Sequence, residues 1–129
     1  MLGVQRIAGI IGFSAGLMIL PLVAIAAGYD GTYAGQVTLV RGDQSICGKS
    51  PLPVTKQVVN GHFDLVYDPA HHVGVNLEVQ QDGSFSGDQA YMVGSQRQQV
   101  RASGRVAGNV LQAHIEGLAC SRDYNLTKQ

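Results

Sequence analysis

Charge is scarce and balanced in this 129-residue chain: nine Lys and Arg face nine Asp and Glu, and the formal net charge is zero. That balance excludes a strongly basic nucleic-acid binder and an acidic disordered tail. Cysteine is limited to Cys47 and Cys120, and neither C-x-x-C nor H-x-x-x-H spacing occurs, so no metal-ligand signature is present. After Ala27 no window sustains a helical hydrophobic period, which argues against a helical bundle. Length sets a further bound. With residues 1–27 set aside as a leader, 28–129 allow one small domain and exclude two lobes with a cleft between them. A domain of that size buries roughly 65% of its unfolded surface, so its core is thin and a covalent staple matters.

What is present begins with the leader. Arg6 and the amino terminus supply positive charge, and Ile7 to Ala27 then runs without a charged residue. The positive start, apolar middle, Pro21 and the small residues Ala24-Ile25-Ala26 are the parts of a secretory signal peptide. Ala24, Ala26 and Ala27 mark the cleavage region, with the cut expected after Ala26 or Ala27. The alternative is a retained anchor, since about 20 apolar residues can span a bilayer; Pro21 and the Ala-x-Ala site favour cleavage. The expected location is periplasmic or secreted, with membrane contact only through the leader before cleavage. Gly12-Phe13-Ser14-Ala15-Gly16 matches both G-x-S-x-G and G-x-x-x-G. The first motif needs a strand–turn–helix context, which a signal core does not provide, and small residues are common in such cores.

In an oxidising compartment Cys47 and Cys120 are expected to form a structural disulfide. The loop it closes, about 74 residues, corresponds to roughly 4 kcal/mol in the chain-entropy account.

From Gly28 onward the pattern is turn, then alternation. Asp30-Gly31-Thr32-Tyr33-Ala34-Gly35 and Asp82-Gly83-Ser84-Phe85-Ser86-Gly87 share it, with looser copies at Asn60-Gly61-His62-Phe63-Asp64 and Ser103-Gly104-Arg105-Val106-Ala107-Gly108. Asp-Gly and Asn-Gly close tight turns, and the residues after them alternate with an aromatic on one face. Tyr33, Val37 and Leu39 share a face. So do Phe63, Leu65 and Tyr67, and so do Val73, Val75, Leu77 and Val79. Later alternations run Val100-Ala102-Gly104-Val106, Leu111-Ala113-Ile115 and Tyr124-Leu126. Thr55–Val59 and His62–Tyr67 around Asn60-Gly61 read as the strongest hairpin. Arg41–Pro53, with two glycines and two prolines, reads as a loop pinned by the disulfide, and Gln-rich Asp88–Gln99 as a projecting polar hairpin. The expected fold is an all-β antiparallel meander of about eight short strands. A small β-barrel is favoured, with a two-sheet β-sandwich as the alternative, because only closure removes sheet edges.

The order of features — leader, Tyr29-Asp30-Gly31-Thr32-Tyr33-x-Gly35, a middle Cys, Asp82-Gly83-Ser84-Phe85-Ser86-Gly87, then Cys120-x-x-x-Tyr124-x-Leu126 — resembles small exported bacterial β proteins of unassigned role. More distantly, Gly31-x-Tyr33 and Gly83-x-Phe85-x-Gly87 look like avidin- or lipocalin-type barrels. That likeness implies a barrel whose lumen holds a small ligand.

Catalytic and metal chemistry find little support. His71 and His72, if extended, point to opposite faces, and His62 lies roughly 17 Å or more from them along an extended strand. Ser84, Ser86, Ser103, His114 and Asp123 supply hydrolase residue types without a nucleophile motif. Several acids, such as Asp30, Asp68 and Asp82, are turn formers. Arg97, Arg101 and Arg105 fall on one strand face, a small basic patch for an anionic contact or a solvated surface. Asn125-Leu126-Thr127 fits a glycosylation sequon within an expected strand of a bacterial-type sequence and is read as coincidence. The function expected is therefore an exported, non-enzymatic β domain, a binding or envelope-associated module. Its contact region would be the Asp88–Arg101 hairpin, with Tyr91, Met92, Arg97 and Arg101 as candidates. Partners would be a small ligand or an envelope protein or polysaccharide, with no nucleic acid and no cofactor. The alternative is a proteinaceous inhibitor of a cell-wall hydrolase such as lysozyme, and after it a small hydrolase.

Overall fold

The computed structural model describes residues 28–129. The leader and its cleavage residues Ala24, Ala26 and Ala27 lie outside the described residues. Eight strands and one helical turn follow in order: β1 (Gly31–Arg41), α1 (Gln44–Cys47), β2 (Leu52–Val58), β3 (His62–Asp68), β4 (Val73–Glu78), β5 (Ser84–Val93), β6 (Gln96–Ala107), β7 (Val110–Glu116) and β8 (Ser121–Lys128). The described residues are all-β, as the alternation requires.

Six strands form one curled antiparallel sheet in the order β2-β1-β8-β7-β6-β5, a half-barrel, and β3 and β4 form a small second sheet. This outcome lies between the two architectures read from the pattern. The sheet curls as a barrel does, yet the two-stranded sheet takes the place of the strands that would close it. The Asn60-Gly61 turn accounts for the split. Asn60 and Gly61 both adopt positive φ, and Val59 and His62 exchange two backbone hydrogen bonds of 3.0 Å. Beyond that bridge the strands diverge, β2 to pair with β1 and β3 with β4. The expected β2–β3 hairpin is thus a corner between sheets. Asp30 holds it: its carboxylate accepts the N–H groups of Asn60 and Gly61, each at 2.8 Å.

One other sequence reading changes in detail. Arg41–Pro53 is only partly a loop, because Asp43 caps α1 by accepting the Ser45 N–H, and Pro53 lies in β2. Proline is tolerated there because β2 is an edge strand and proline there costs no ladder bond on the open side. Asp88–Gln99 is the far part of one long β5–β6 ribbon.

Inward positions follow the period-2 pattern. Tyr33, Leu65, Val75, Val100, Leu111, Ile115 and Leu126 are fully buried in one cluster that both sheets share. Phe63 of the small sheet meets Phe85 of the large one edge to face, with centroids 4.9 Å apart. Gly104 lets that contact form, since a Cβ there would run into the Phe85 ring and the β7 backbone. The end of the body near Tyr29 is filled by this packing; the opposite end is stapled. Cys47 in α1 and Cys120 before β8 are bonded, with Cα atoms 5.8 Å apart across 73 positions of sequence. Such a bond is the chemistry of an oxidising, non-cytoplasmic location. Among the described residues no helix is long and apolar enough to cross a membrane.

Candidate ligand-binding mouth

At the stapled end the half-barrel stays open. The β6–β7 ladder begins at Arg101 and Glu116, so Gln96–Val100 and the β5 residues opposite them run on past β7. At about 3.4 Å per residue this ribbon overhangs by roughly 17 Å. It forms one wall of a cavity of 670 Å³; α1, the Leu118–Cys120 segment and the Asp68–His71 turn form the others. That volume falls within the range of small-molecule sites, about 300–1,000 Å³.

The floor is polar. Arg122 lies on β8 in phase with Cys120, Tyr124 and Leu126, so its side chain is carried to the inner face among buried neighbours. Its guanidinium donates to the Tyr67 carbonyl at 3.0 Å and to the Cys47 carbonyl, and it sits over the Tyr67 ring, 5.6 Å from the centroid. These contacts use two of its five donors. No carboxylate lies within 4.0 Å of an Arg or Lys nitrogen among the described residues, where the ion pairs all involve histidine. The Tyr67 hydroxyl accepts the Cys120 N–H at 3.2 Å. The Tyr67 ring packs against Gly117, where a Cβ would fall on it. Tyr91 stands 6.2 Å from Tyr67, centroid to centroid. Burial first, then the neighbouring Tyr67, raises its phenol above the ordinary value. Gln98, the ladder partner of Tyr91, lines the same wall. Asp68 is the acid at the margin. Its carboxylate is occupied by His71 Nδ1 at 2.7 Å and the Ala70 N–H at 3.0 Å, and the His71 contact chiefly holds its pKa down.

The rim is apolar. Ile46, Leu118, Met92 and Val93 are 75%, 67%, 61% and 57% exposed, and all four border this one cavity. They are four of nine exposed large hydrophobic side chains among the described residues. Clustered exposure of this kind marks an interaction site, whereas scattered apolar residues do not. Arg41 fixes the Leu118 corner by donating to the carbonyls of Leu118 and Gly117 at 3.0 and 2.6 Å.

The four contact candidates therefore divide. Tyr91 faces the mouth, while Met92, which borders the cavity, shares the outward-facing register of its ladder partner Arg97, and Arg101 lies in that same register. Arg101 is flanked across the ladders by Asp88 and Glu116. Arg122, Tyr67, Ile46 and Leu118 were not singled out from sequence. The signal for Arg122 was there: a cation in step with Cys120, Tyr124 and Leu126 on an apolar strand face.

The hydrolase residue types meet on the outer face. Ser103, His114 and Asp123 are successive ladder partners on β6, β7 and β8. His114 Nδ1 contacts Asp123 at 2.6 Å, but Nε2 contacts Glu116 at 3.1 Å. The hydrogen bond to Asp123, then that to Glu116, raises the imidazole pKa. A ring whose two nitrogens both face carboxylates favours the protonated form and offers Ser103 no base. Among the described residues no three potential metal ligands converge.

Comparison of the chain with protein-family models, with curated proteins and with solved structures finds no match.

Proposed function

We propose that the protein is an exported, non-enzymatic binding domain, periplasmic or secreted, that takes a small ligand into the open end of its half-barrel. The observation that carries this reading is the coincidence of the 670 Å³ cavity with the exposed apolar side chains of Ile46, Leu118 and Val93 and with the remaining donors of Arg122 on its floor. A solid interior would have moved binding to the outer surface; here the core is packed at one end and hollow at the other.

The test is a thermal-shift panel of chemically diverse small molecules on the wild type and on Gln98→Trp, which fills the mouth. A ligand at about 100 times its Kd adds roughly 2.7 kcal/mol, so true ligands raise the Tm of the wild type and leave the variant unmoved. If no panel member stabilises the wild type, or if the variant responds equally, the reading is wrong.

The overhanging ribbon favours a second reading, inhibition of a cell-wall hydrolase by a hairpin that enters its cleft. Gly94-Ser95 caps the ribbon and Met92 and Val93 are exposed beside it. Loss of lysozyme-type activity on adding the protein, relieved by Met92→Asp, supports this reading; unchanged activity across several hydrolases removes it.

A further inference from the structure

We infer that the ligand taken by this mouth is an anionic amphiphile, a carboxylate head on a hydrocarbon tail, with Arg122 as the residue that receives the head. The inference rests on the binding reading above and names its ligand class.

Polarity is graded from the bottom of the cavity to the top. At the bottom a half-buried guanidinium retains three N–H donors and its whole charge, because its two hydrogen bonds go to neutral carbonyls. The phenols of Tyr67 and Tyr91 and the Gln98 amide add neutral polar groups around it. This is a donor-rich pocket with one permanent cation, which suits the two oxygens of a carboxylate in the planar geometry that arginine favours. The acid beside it, Asp68, is turned to His71 and the Ala70 N–H, so the guanidinium is not already neutralised by it. At the top Ile46, Leu118 and Val93 offer only hydrocarbon, and a tail leaving the head would lie across them. A sugar would leave that rim in water, and a plain hydrocarbon would bury the cation without a partner. Neither answers both halves of the site; a molecule polar and negative at one end and apolar at the other answers both.

The experiment titrates the purified protein with cis-parinaric acid, whose fluorescence rises on leaving water, and separately with its methyl ester and with propionate. The acid should bind saturably and roughly ten- to hundredfold more tightly than the ester, the size of a charge-assisted hydrogen-bonded contact. Propionate, a head without a tail, should bind far more weakly. Arg122→Met should erase the difference between acid and ester. Because Arg122 also ties Tyr67 to Cys47, Arg122→Lys is run beside it: it keeps the charge without the fork and should retain a reduced preference. Gln98→Trp should abolish binding of both probes. Equal affinity for acid and ester in the wild type overturns the inference, as does an acid preference that survives in Arg122→Met. Sedimentation with vesicles of mixed zwitterionic and anionic phospholipid separates the two sources of such a head. Capture by vesicles without saturable binding of the free acid would place the anion in a membrane surface and overturn the inference. If the thermal-shift panel yields ligands and parinarate is not among them, the ligand class falls while the binding reading stands.

Discussion

Replacing Cys47 and Cys120 together by alanine removes the one covalent tie in the domain, and its cost can be worked from the loop alone. The cysteines are 73 positions apart, and the loop-entropy relation for about that length gives roughly 4 kcal/mol at 25 °C. A domain this small has about 5–15 kcal/mol in total, so the double variant should sit near the edge of stability. At about 4–8 °C per kcal/mol for a domain of 60–100 residues, Tm should fall by roughly 16–32 °C. The loss should also be local, because the bridge joins α1 to the Leu118–Cys120 segment, two walls of the mouth. The assay is urea unfolding of the oxidised wild type, the reduced wild type and the double variant, with the change in slope as a check on two-state behaviour. Agreement between the reduced protein and the variant isolates the bond from the lost sulfur packing. A cost below about 1 kcal/mol in both would refute the argument. It would mean that the loop ends are already held together in the unfolded chain or that the native bridge is strained by as much as it constrains.

Other outcomes follow from single contacts. Gly117→Ala puts a methyl group onto the Tyr67 ring and should cost about 1–3 kcal/mol; chemical denaturation reads the cost. Asp30→Ala leaves the Asn60 and Gly61 N–H groups without their carboxylate and should cost about 1–3 kcal/mol. A β2–β3 corner that exchanges its amide protons no faster in that variant would contradict the role given to Asp30. For His114 the folded pKa lies above the ordinary value through Asp123 and Glu116. A raised imidazole stabilises the fold fully below its unfolded pKa of about 6.5 and loses that contribution as pH climbs through the folded value. An NMR titration of the ring, with urea midpoints at about pH 6 and about pH 9 for wild type and His114→Gln, checks the direction. An imidazole titrating below its unfolded value would reverse it.

Much of this molecule is legible locally. Side chains alternate with a period of two on a strand, so Phe63, Leu65 and Tyr67, or Val73, Val75 and Leu77, are assigned to an inner face by spacing alone. Two cysteines admit one intramolecular pairing, and the bond is there. The same local logic misled at Asn60-Gly61. A turn type fixes how the chain reverses, but whether the flanking strands go on pairing depends on which neighbours compete for their edges, and β1 and β4 took them.

Sequence by itself determined the class of structure, the faces of its strands and the staple, because each of these rests on spacing along the chain. Only the tertiary structure decided that the sheet curls without closing, that the β5–β6 ribbon outruns β7, and that Ile46, Val93 and Leu118 ring one opening over Arg122. Those residues lie far apart in sequence, and their meeting depends on strand order, curl and unequal strand lengths, none of which a local pattern encodes.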